Sequence, residues 1–281
     1  MADVKSDVER LVGQLPNPDE KGMLSSIDKK AVDEITQALW AGGRDSILAL
    51  MDMLVEPGKG DDHKAHYAFH CLVLYACRQQ RPQRRQFTEM VAEQIGSGRP
   101  KAVRGYLIRE LQFCGGRGAA EVLGNALADA DLVDDAAATL TAIGGRPAIE
   151  QLRAALPNAA GRAKLVILQS LCVLADAESA AAMKQALADE DREVRLTAAW
   201  GLANIADAGA VEAVLKAADT DAPYERIKAT QACIVMAEKL AAKGDKTSAA
   251  RIYKHLVQTR TGDGEAYVRD AAQEALASLE A

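Results

Sequence analysis

A short apolar segment recurs along this chain at a nearly constant spacing. Each copy begins with Leu or Cys, ends three residues later with another apolar residue, and follows a stretch rich in Ala and aliphatic residues. The first residues of successive copies are 29, 31, 31 and 31 positions apart. A period of this length is typical of repeat proteins and constrains the fold more than any other feature. The five copies are Leu111–Cys114, Leu140–Ile143, Leu171–Leu174, Leu202–Ile205 and Cys233–Met236.

Looser copies extend this pattern at both ends. Leu39–Gly42 and Leu74–Cys77 come first, 35 residues apart, and the next copy follows 37 residues later. Leu276–Leu279 lies 43 residues beyond the last regular copy. We therefore count about eight units.

Each unit contains two helical patterns separated by a short turn. Glycine pairs mark three of these turns, where helix ends favour a residue that tolerates positive φ. Ala and Leu dominate the apolar residues and aromatic residues make up only 4%, which favours helices. A helix pair this short cannot bury both apolar faces alone, so neighbouring pairs must stack. The sequence predicts an all-α fold, a right-handed α-solenoid of about seven or eight antiparallel helical hairpins whose second helices line a concave face.

Charged residues follow the same period. A basic residue stands seven positions before the aligned residue in five units, and an acid stands eleven positions before it in three. Acids at helix starts complement the helix dipole and can reach a basic side chain in the same or the next unit. We interpret these charges as a structural ladder. The basic members are Arg104, Lys164, Arg195, Arg226 and Arg269, and the acidic members are Asp129, Asp191 and Glu265.

The segment Asp189–Asp219, which contains the pattern Asp-Arg-Glu-Val-Arg-Leu-Thr-Ala-Ala-Trp-Gly-Leu-Ala-Asn-Ile, resembles a short HEAT repeat of the PBS-lyase type. The resemblance covers about residues 99–236 well and the flanks more loosely. It implies a solenoid fold, and for function it implies protein–protein scaffolding more often than chemistry.

The same resemblance implies three enzyme classes that contain HEAT-like repeats. HEAT-like deoxyhypusine hydroxylases carry His-Glu pairs for a di-iron site, and this sequence contains no His-Glu dipeptide. HEAT-like DNA glycosylases need a basic groove, whereas this chain has a net charge of −6. Lyases that handle bilin pigments stay open as the alternative function, because an anionic small molecule could be held by basic and aromatic side chains. The candidates for that role are Tyr67, Tyr75, Arg78, Tyr106 and Arg109.

Two departures from the period divide the chain into three parts. We predict capping helices and a linker over residues 1–60, the repeat array over 61–236, and a lengthened hairpin with a capping helix over 237–281. The N-terminal part includes a weakly apolar segment up to about Gly22, which we expect to be a short helix followed by a linker. The lengthened hairpin covers Glu238–Arg260 with its turn at Lys243–Lys246, where half of a tetratricopeptide motif is matched.

The segment Arg78–Arg85 is the first departure, and we expect an elongated connection there, with the next helix starting near Phe87. Residues 78–110 carry a net charge of +5, which leaves −11 on the rest of the chain. This asymmetry predicts a basic patch for an acidic partner segment or a phosphate group, with a solvated loop as the simpler interpretation. The residues that we predict to contact a partner are Arg78, Arg81, Arg84, Arg85, Arg117, Arg146, Tyr253 and His255.

Few residues suggest chemistry. His63, His66 and His70 would share one helix face and are weak candidates for a metal site, but our prediction is that no metal or other cofactor is bound. The five cysteines lack CxxC spacing and sit in apolar patterns, as buried cysteines in a reducing compartment do. No catalytic motif is present, and Trp200 is expected to pack in the core between repeats.

The predicted function is a non-enzymatic scaffold or adaptor that binds a protein or peptide on its concave face. The acidic net charge disfavours nucleic acid as a partner, and no apolar stretch approaches the roughly 18 residues that a membrane span needs. We expect a cytoplasmic protein. The partner's identity and the oligomeric state do not follow from the sequence.

Overall fold

A computed structural model describes residues 2–17 and 28–280, and every regular element within these ranges is helical. Short 3-10 turns connect several of the α-helices. The α-helices are α1 (Ala2–Gly13), α2 (Lys29–Ala41), α3 (Gly43–Asp52), α4 (His63–Cys77), α5 (Arg81–Ile95), α6 (Lys101–Cys114), α7 (Arg117–Ala126), α8 (Val133–Ile143), α9 (Gly145–Ala155), α10 (Gly161–Val173), α11 (Ala180–Ala186), α12 (Arg192–Ile205), α13 (Val211–Ala218), α14 (Pro223–Ala242), α15 (Lys246–Thr259) and α16 (Ala266–Glu280).

The chain forms two compact units, residues 1–148 and 149–281. In the first unit, α4 packs on α6 and α6 on α8, while α5 packs on α7. In the second, α10 packs on α12 and α12 on α14, with α11, α13 and α15 as the second helices of their hairpins. Stacking of first helix on first helix is the arrangement of an α-solenoid, so the predicted all-α solenoid class is confirmed. Its handedness, its curvature and the three-part division of the chain stay predictions.

The aligned apolar positions form the core between stacked hairpins. Leu39 and the aligned residues of the five regular copies are almost completely buried. Leu74 departs from this pattern, because its side chain is 36% exposed while Leu72 is fully buried. The expected alignment is therefore wrong by two residues in α4, where Leu72 occupies the core position.

Two kinds of residue close the turns. Gly43 and Gly144 adopt positive φ, as expected for glycine at a helix boundary. Ala175 and Ala206 also have positive φ, at 49° and 54°, at the ends of the first helices in the second unit. These alanines precede the Asp-Ala segments that replace the glycine pairs there, so the chain uses a strained residue in place of the favoured one.

Three basic members of the predicted ladder form ion pairs between successive repeats, but Glu265 is the one predicted acid among their partners. Asp129 pairs with Lys101 instead, and Asp191 caps the start of α12. Lys164 pairs with Asp189, and Arg195 donates three hydrogen bonds to the Glu225 carboxylate, at 2.8, 2.9 and 3.1 Å. Arg226 Nε lies 2.6 Å from Glu265 Oε1. Each pair joins a first helix to the turn or helix start of the next repeat, which fixes the register of stacking.

The other basic ladder members bond backbone carbonyl groups. Arg104 donates to the carbonyl of Ile95, and Arg269 donates to that of Arg260, both at 2.6 Å. Carbonyl groups at helix ends lack a hydrogen-bond donor within their own helix, and these arginines supply one.

The two departures from the period fold differently. The lengthened hairpin is present as α14 and α15, with Gly244 at positive φ in their turn. The elongated connection at Arg78–Arg85 is wrong, because α5 already begins at Arg81. Pro82 lies in the first turn of α5, where its fixed φ favours a helix start.

At the N-terminus, α1 packs against α3 and buries Val8, Val12 and Leu15. This confirms the short N-terminal helix, whereas residues 18–27 of the expected linker lie outside the described residues. Among the described helices, none is long and apolar enough to cross a membrane.

Candidate functional site

An apolar groove crosses the exposed face of α10, α12 and α14 in the second unit. Its most exposed apolar side chains are Val173 at 58%, Tyr224 at 47% and Trp200 at 40%. Ile227, one turn further along α14, is 50% exposed. The expected packing role of Trp200 is therefore wrong. Helix α12 turns Ala198, Ala199 and the other small residues beside it to the core, and the indole points outward.

The groove has a volume of about 880 Å³ and a mixed lining. Leu196, Ile234 and Val235 add apolar surface between the three helices. Polar side chains surround this floor without forming a cluster of one charge; they are Gln169, Glu193, Thr197, Lys228, Gln231 and Glu238.

The aromatic wall of the groove is held in place by a neighbouring arginine. The guanidinium carbon of Arg192 lies 4.8 Å above the centre of the Tyr224 ring, and its Nε lies 3.0 Å from Glu193 Oε1. A cation over a tyrosine face is an attractive contact that also restricts the ring's rotation. Exposed Tyr and Trp side chains are among those that dominate protein interfaces.

The predicted arginines of the first unit lie close to the turn ends of two hairpins. Arg78 caps the end of α4, and Arg81, Arg84 and Arg85 lie in the first turns of α5. Arg85 pairs with Glu89 one turn along the same helix, at 2.7 Å. The other three form no ion pair with any residue in the described ranges.

The remaining predicted contact residues are spread over both units. Arg117 is exposed at the start of α7, and Arg146 is exposed near the start of α9. Tyr253 is buried in α15, so its ring packs in the hairpin core instead of facing solvent. His255 is half-buried, with Nε2 2.8 Å from Asp219 Oδ2. The structure thus brings Arg117 together with the arginines of α5 and leaves Tyr253 and His255 in the other unit.

A buried arginine beside His255 is a feature that sequence reasoning missed. Arg260 is fully buried and donates to the Ala218 carbonyl at 2.8 Å and to Thr230 Oγ1 at 3.0 Å. It also lies 3.2 Å from Asp219 Oδ1. A lone arginine after a helix carries no sequence signal of burial, and only the packing of α13, α14 and α15 around it gives it this role.

The three clustered histidines do not converge on one site. His63 pairs with Asp61, and His66 Nε2 lies 3.1 Å from Asp62 Oδ2. His70 Nδ1 lies 2.9 Å from Glu110 Oε2 in α6. Each imidazole therefore has a separate carboxylate, and no group of three metal-ligating side chains occurs in the part of the chain that the structure describes.

The cysteines are poor nucleophiles. All five are free thiols, and burial raises the pKa of Cys172 and of Cys233 to about 12. Burial also raises the pKa of Cys71, Cys77 and Cys114. Because the thiolate is the reactive form, none of these side chains is activated at neutral pH.

The candidates for holding a pigment are partly engaged within the fold. The Tyr106 hydroxyl donates to the His66 carbonyl at 2.9 Å, and Arg109 lies 2.6 Å from Asp135 Oδ2. Tyr75 packs edge-on against Trp40. These contacts join helices to each other, so these side chains serve packing and register in this structure.

Comparisons with known proteins concern the repeats. A family model described as HEAT repeats matches residues 149–234. No curated protein matches this sequence. Similar solved structures include an engineered protein, 19% identical, with 98% of this chain and 79% of that chain covered and a TM-score of 0.49.

Two natural proteins are also similar in structure. Human deoxyhypusine hydroxylase is 15% identical, with coverage of 99% and 98% and a TM-score of 0.34. The complex of CpcE and CpcF of phycocyanin lyase from Nostoc sp. PCC7120 is 16% identical, with coverage of 96% and 94% and a TM-score of 0.33.

Proposed function

Residues 149–234 match HEAT repeats, and from this premise we propose that the chain is a non-enzymatic scaffold. Its partner protein binds in the groove of α10, α12 and α14. The observation that carries this proposal is the exposure of Val173, Trp200 and Tyr224 on one continuous surface. Large apolar side chains that stay in water do not stabilise the folded state, whereas a bound partner removes them from water.

The lining indicates the kind of partner segment. An apolar floor with Trp and Tyr favours a segment that presents two or three apolar side chains, because burial of such side chains supplies most of the binding free energy. Lys228 and Glu238 are exposed at the groove and form no ion pair among the described residues, so they are available to orient the segment. This surface lies on first helices, whereas the sequence pointed to second helices.

A matched pair of variants tests the proposal. The full-length protein and its Trp200→Ala/Tyr224→Ala variant are used as bait with an extract of the source cells, and captured proteins are quantified by mass spectrometry. Tyr267→Ala is the control, because Tyr267 is an even more exposed aromatic residue, in α16, that does not line the groove. We expect at least one protein to be retained by the wild type and the control and reduced about tenfold or more by the double variant.

Direct binding of that protein gives the second readout. In a Trp40→Phe background Trp200 is the only indole, so its fluorescence should shift to the blue when a partner covers the groove. Equal capture by all three baits, or an unchanged Trp200 spectrum at saturation, would show that the groove is not the binding surface. Incubation with a bilin should leave the pigment's absorbance unchanged, and a shifted or covalently retained pigment would instead support a lyase.

A further inference from the structure

We infer that the first unit carries a second, independent interaction surface, which binds an acidic polypeptide segment with an apolar side chain. This surface consists of Arg78, Arg81, Arg84, Arg85, Arg117 and the ring of Phe113, and we call it the turn-end surface. It lies in the unit of residues 1–148, so the inference does not depend on the groove of the second unit.

Three observations show that these residues lie near one another. Cys77 Sγ donates to the carbonyl of Phe113 at 3.2 Å, so the ends of α4 and α6 lie side by side. Burial raises the pKa of Cys77 and Cys114, and the nearby guanidinium of Arg84 opposes that rise at both thiols. The first turn of α7 also approaches α5, since a Cβ at Gly118 would lie 3.2 Å from Glu89 Cγ.

Four of the five arginines on this surface lie where the helix dipole disfavours a cation, and the fifth, Arg78, lies at the end of α4. Arg81, Arg84 and Arg85 lie in the first turns of α5 and Arg117 is the first residue of α7, where the partial positive charge of the helix dipole disfavours cations. Only Arg85 has a carboxylate partner in the described parts of the chain. Residues that oppose a local stability rule without a compensating contact are expected at functional sites.

An acidic segment supplies the missing partners. Guanidinium groups bind carboxylates through two parallel hydrogen bonds, and several arginines on one small surface select for closely spaced Asp or Glu. Phe113 is 47% exposed near the end of α6, with its ring edge-on to His70 in α4, and offers a contact for one apolar side chain of the segment. A nucleic acid would need a longer basic track than these two turns provide, and the chain outside residues 78–110 carries −11.

The test measures fluorescence anisotropy of a labelled peptide made of three Glu-Glu-Leu-Gly repeats, bound to the full-length protein. The matched neutral peptide has Gln in place of Glu. We expect the acidic peptide to bind, to be weakened by added salt, and to be preferred over the neutral one. The variant R78E/R81E/R117E should bind it about tenfold more weakly or worse, since three exposed ion pairs are lost and reversed. Phe113→Ala should also weaken binding while keeping the salt dependence.

The control variant K29E/K59E carries two reversed charges on exposed lysines, one at the start of α2 and one in the segment before α4, and it should bind as the wild type does. Thermal melting separates a binding role from a structural one. Acids in the first turns of α5 and α7 complement the helix dipole, whereas an acid in place of Arg78 at the end of α4 opposes it. Because these effects offset one another, the triple variant should melt close to the wild type.

Several outcomes would overturn the inference. These are no binding of the acidic peptide at low salt, equal binding by the triple variant, an equal loss in K29E/K59E, or a lower melting temperature that accounts for the loss. A single-stranded oligothymidine that binds more tightly than the peptide would assign the surface to nucleic acid instead. None of these outcomes bears on the groove, whose test uses residues of the other unit.

Discussion

At the scale of single residues, the guanidinium of Arg260 in the second unit is fully buried, so its hydrogen bonds must replace the water that it loses on folding. Its removal would leave the Ala218 carbonyl without that donor and Asp219 with only His255 as an ionic partner. We expect Arg260→Ala to lower the free energy of unfolding by about 3 kcal/mol, because the buried acceptors on Ala218 and Thr230 lose their donor. Urea denaturation followed by circular dichroism measures this change.

Arg251→Ala is the matched control for that prediction. Arg251 lies in the preceding helix α15 and pairs with Glu212 at 2.5 Å, but both side chains are exposed. Its loss should cost less than about 1 kcal/mol. Equal destabilisation by both substitutions would mean that burial does not determine how much Arg260 stabilises the folded protein.

Residue-scale roles were the hardest to predict. The periodic basic residues do make contacts that recur from repeat to repeat, because regular spacing brings equivalent side chains to equivalent places. Of the predicted acids, however, Glu265 is the one that pairs with a ladder base. Trp200 and Tyr253 were misjudged in opposite directions, one exposed and the other buried. An apolar pattern identifies the buried face of a helix, but it does not say where a flanking aromatic residue points when small neighbours such as Ala198 already fill the core.

At the scale of elements, Gly201 determines how closely α10 and α12 pack. A Cβ at this position would overlap Cys172 Sγ and lie 2.8 Å from Met183 Sδ. Glycine inside a helix normally costs about 1 kcal/mol relative to alanine. We nevertheless expect Gly201→Ala to destabilise the protein by about 1–3 kcal/mol through overpacking, which thermal or urea unfolding would report.

A compensating substitution makes that prediction specific. Cys172→Ala removes the sulfur that the new methyl group would strike, so the C172A/G201A variant should be more stable than Gly201→Ala alone. A G201A protein as stable as the wild type, or no recovery in the double variant, would contradict the proposed close approach.

A second element-scale prediction concerns the end of α10. Ala175 has a φ of 49° and is exposed, so its methyl group contributes strain without contributing to the core. Ala175→Gly should therefore raise the free energy of unfolding by about 1 kcal/mol. Ala138→Gly, at an exposed position within α8, should lower it by a similar amount. If both substitutions changed the free energy of unfolding in the same direction, the left-handed conformation of Ala175 would not be the cause of the effect.

At the scale of the whole molecule, ion pairs between repeats make stability depend on pH. The hydrogen bond from Lys164 lowers the pKa of Asp189, and the hydrogen bond from Arg226 lowers the pKa of Glu265. Carboxyl groups with a lowered pKa stabilise the folded state above their unfolded pKa and lose that contribution as pH falls through the folded value. The melting temperature should thus fall steeply below about pH 4.5.

Glu265→Gln checks the source of that dependence. The variant should melt lower than the wild type at pH 7, and the difference should shrink as the pH falls, because protonation removes the same ion pair from the wild type. Glu274→Gln is the control, since Glu274 is exposed in α16 and forms no ion pair among the described residues. Parallel melting curves for wild type and Glu265→Gln across the acid range would rule out this pair as a contributor.

The sequence by itself determined the helical hairpin, its period and the charged ladder, because these depend on spacing along one chain and repeat with it. It also placed the aligned core residues of the five regular copies, but it misplaced Leu74, Trp200 and Tyr253. Tertiary structure alone decided which surface stays apolar and exposed, where Arg260 is buried, and that Arg117 joins the arginines of α5. These features depend on how neighbouring helices approach one another in space. A single sequence does not show which residues of separate repeats lie in contact.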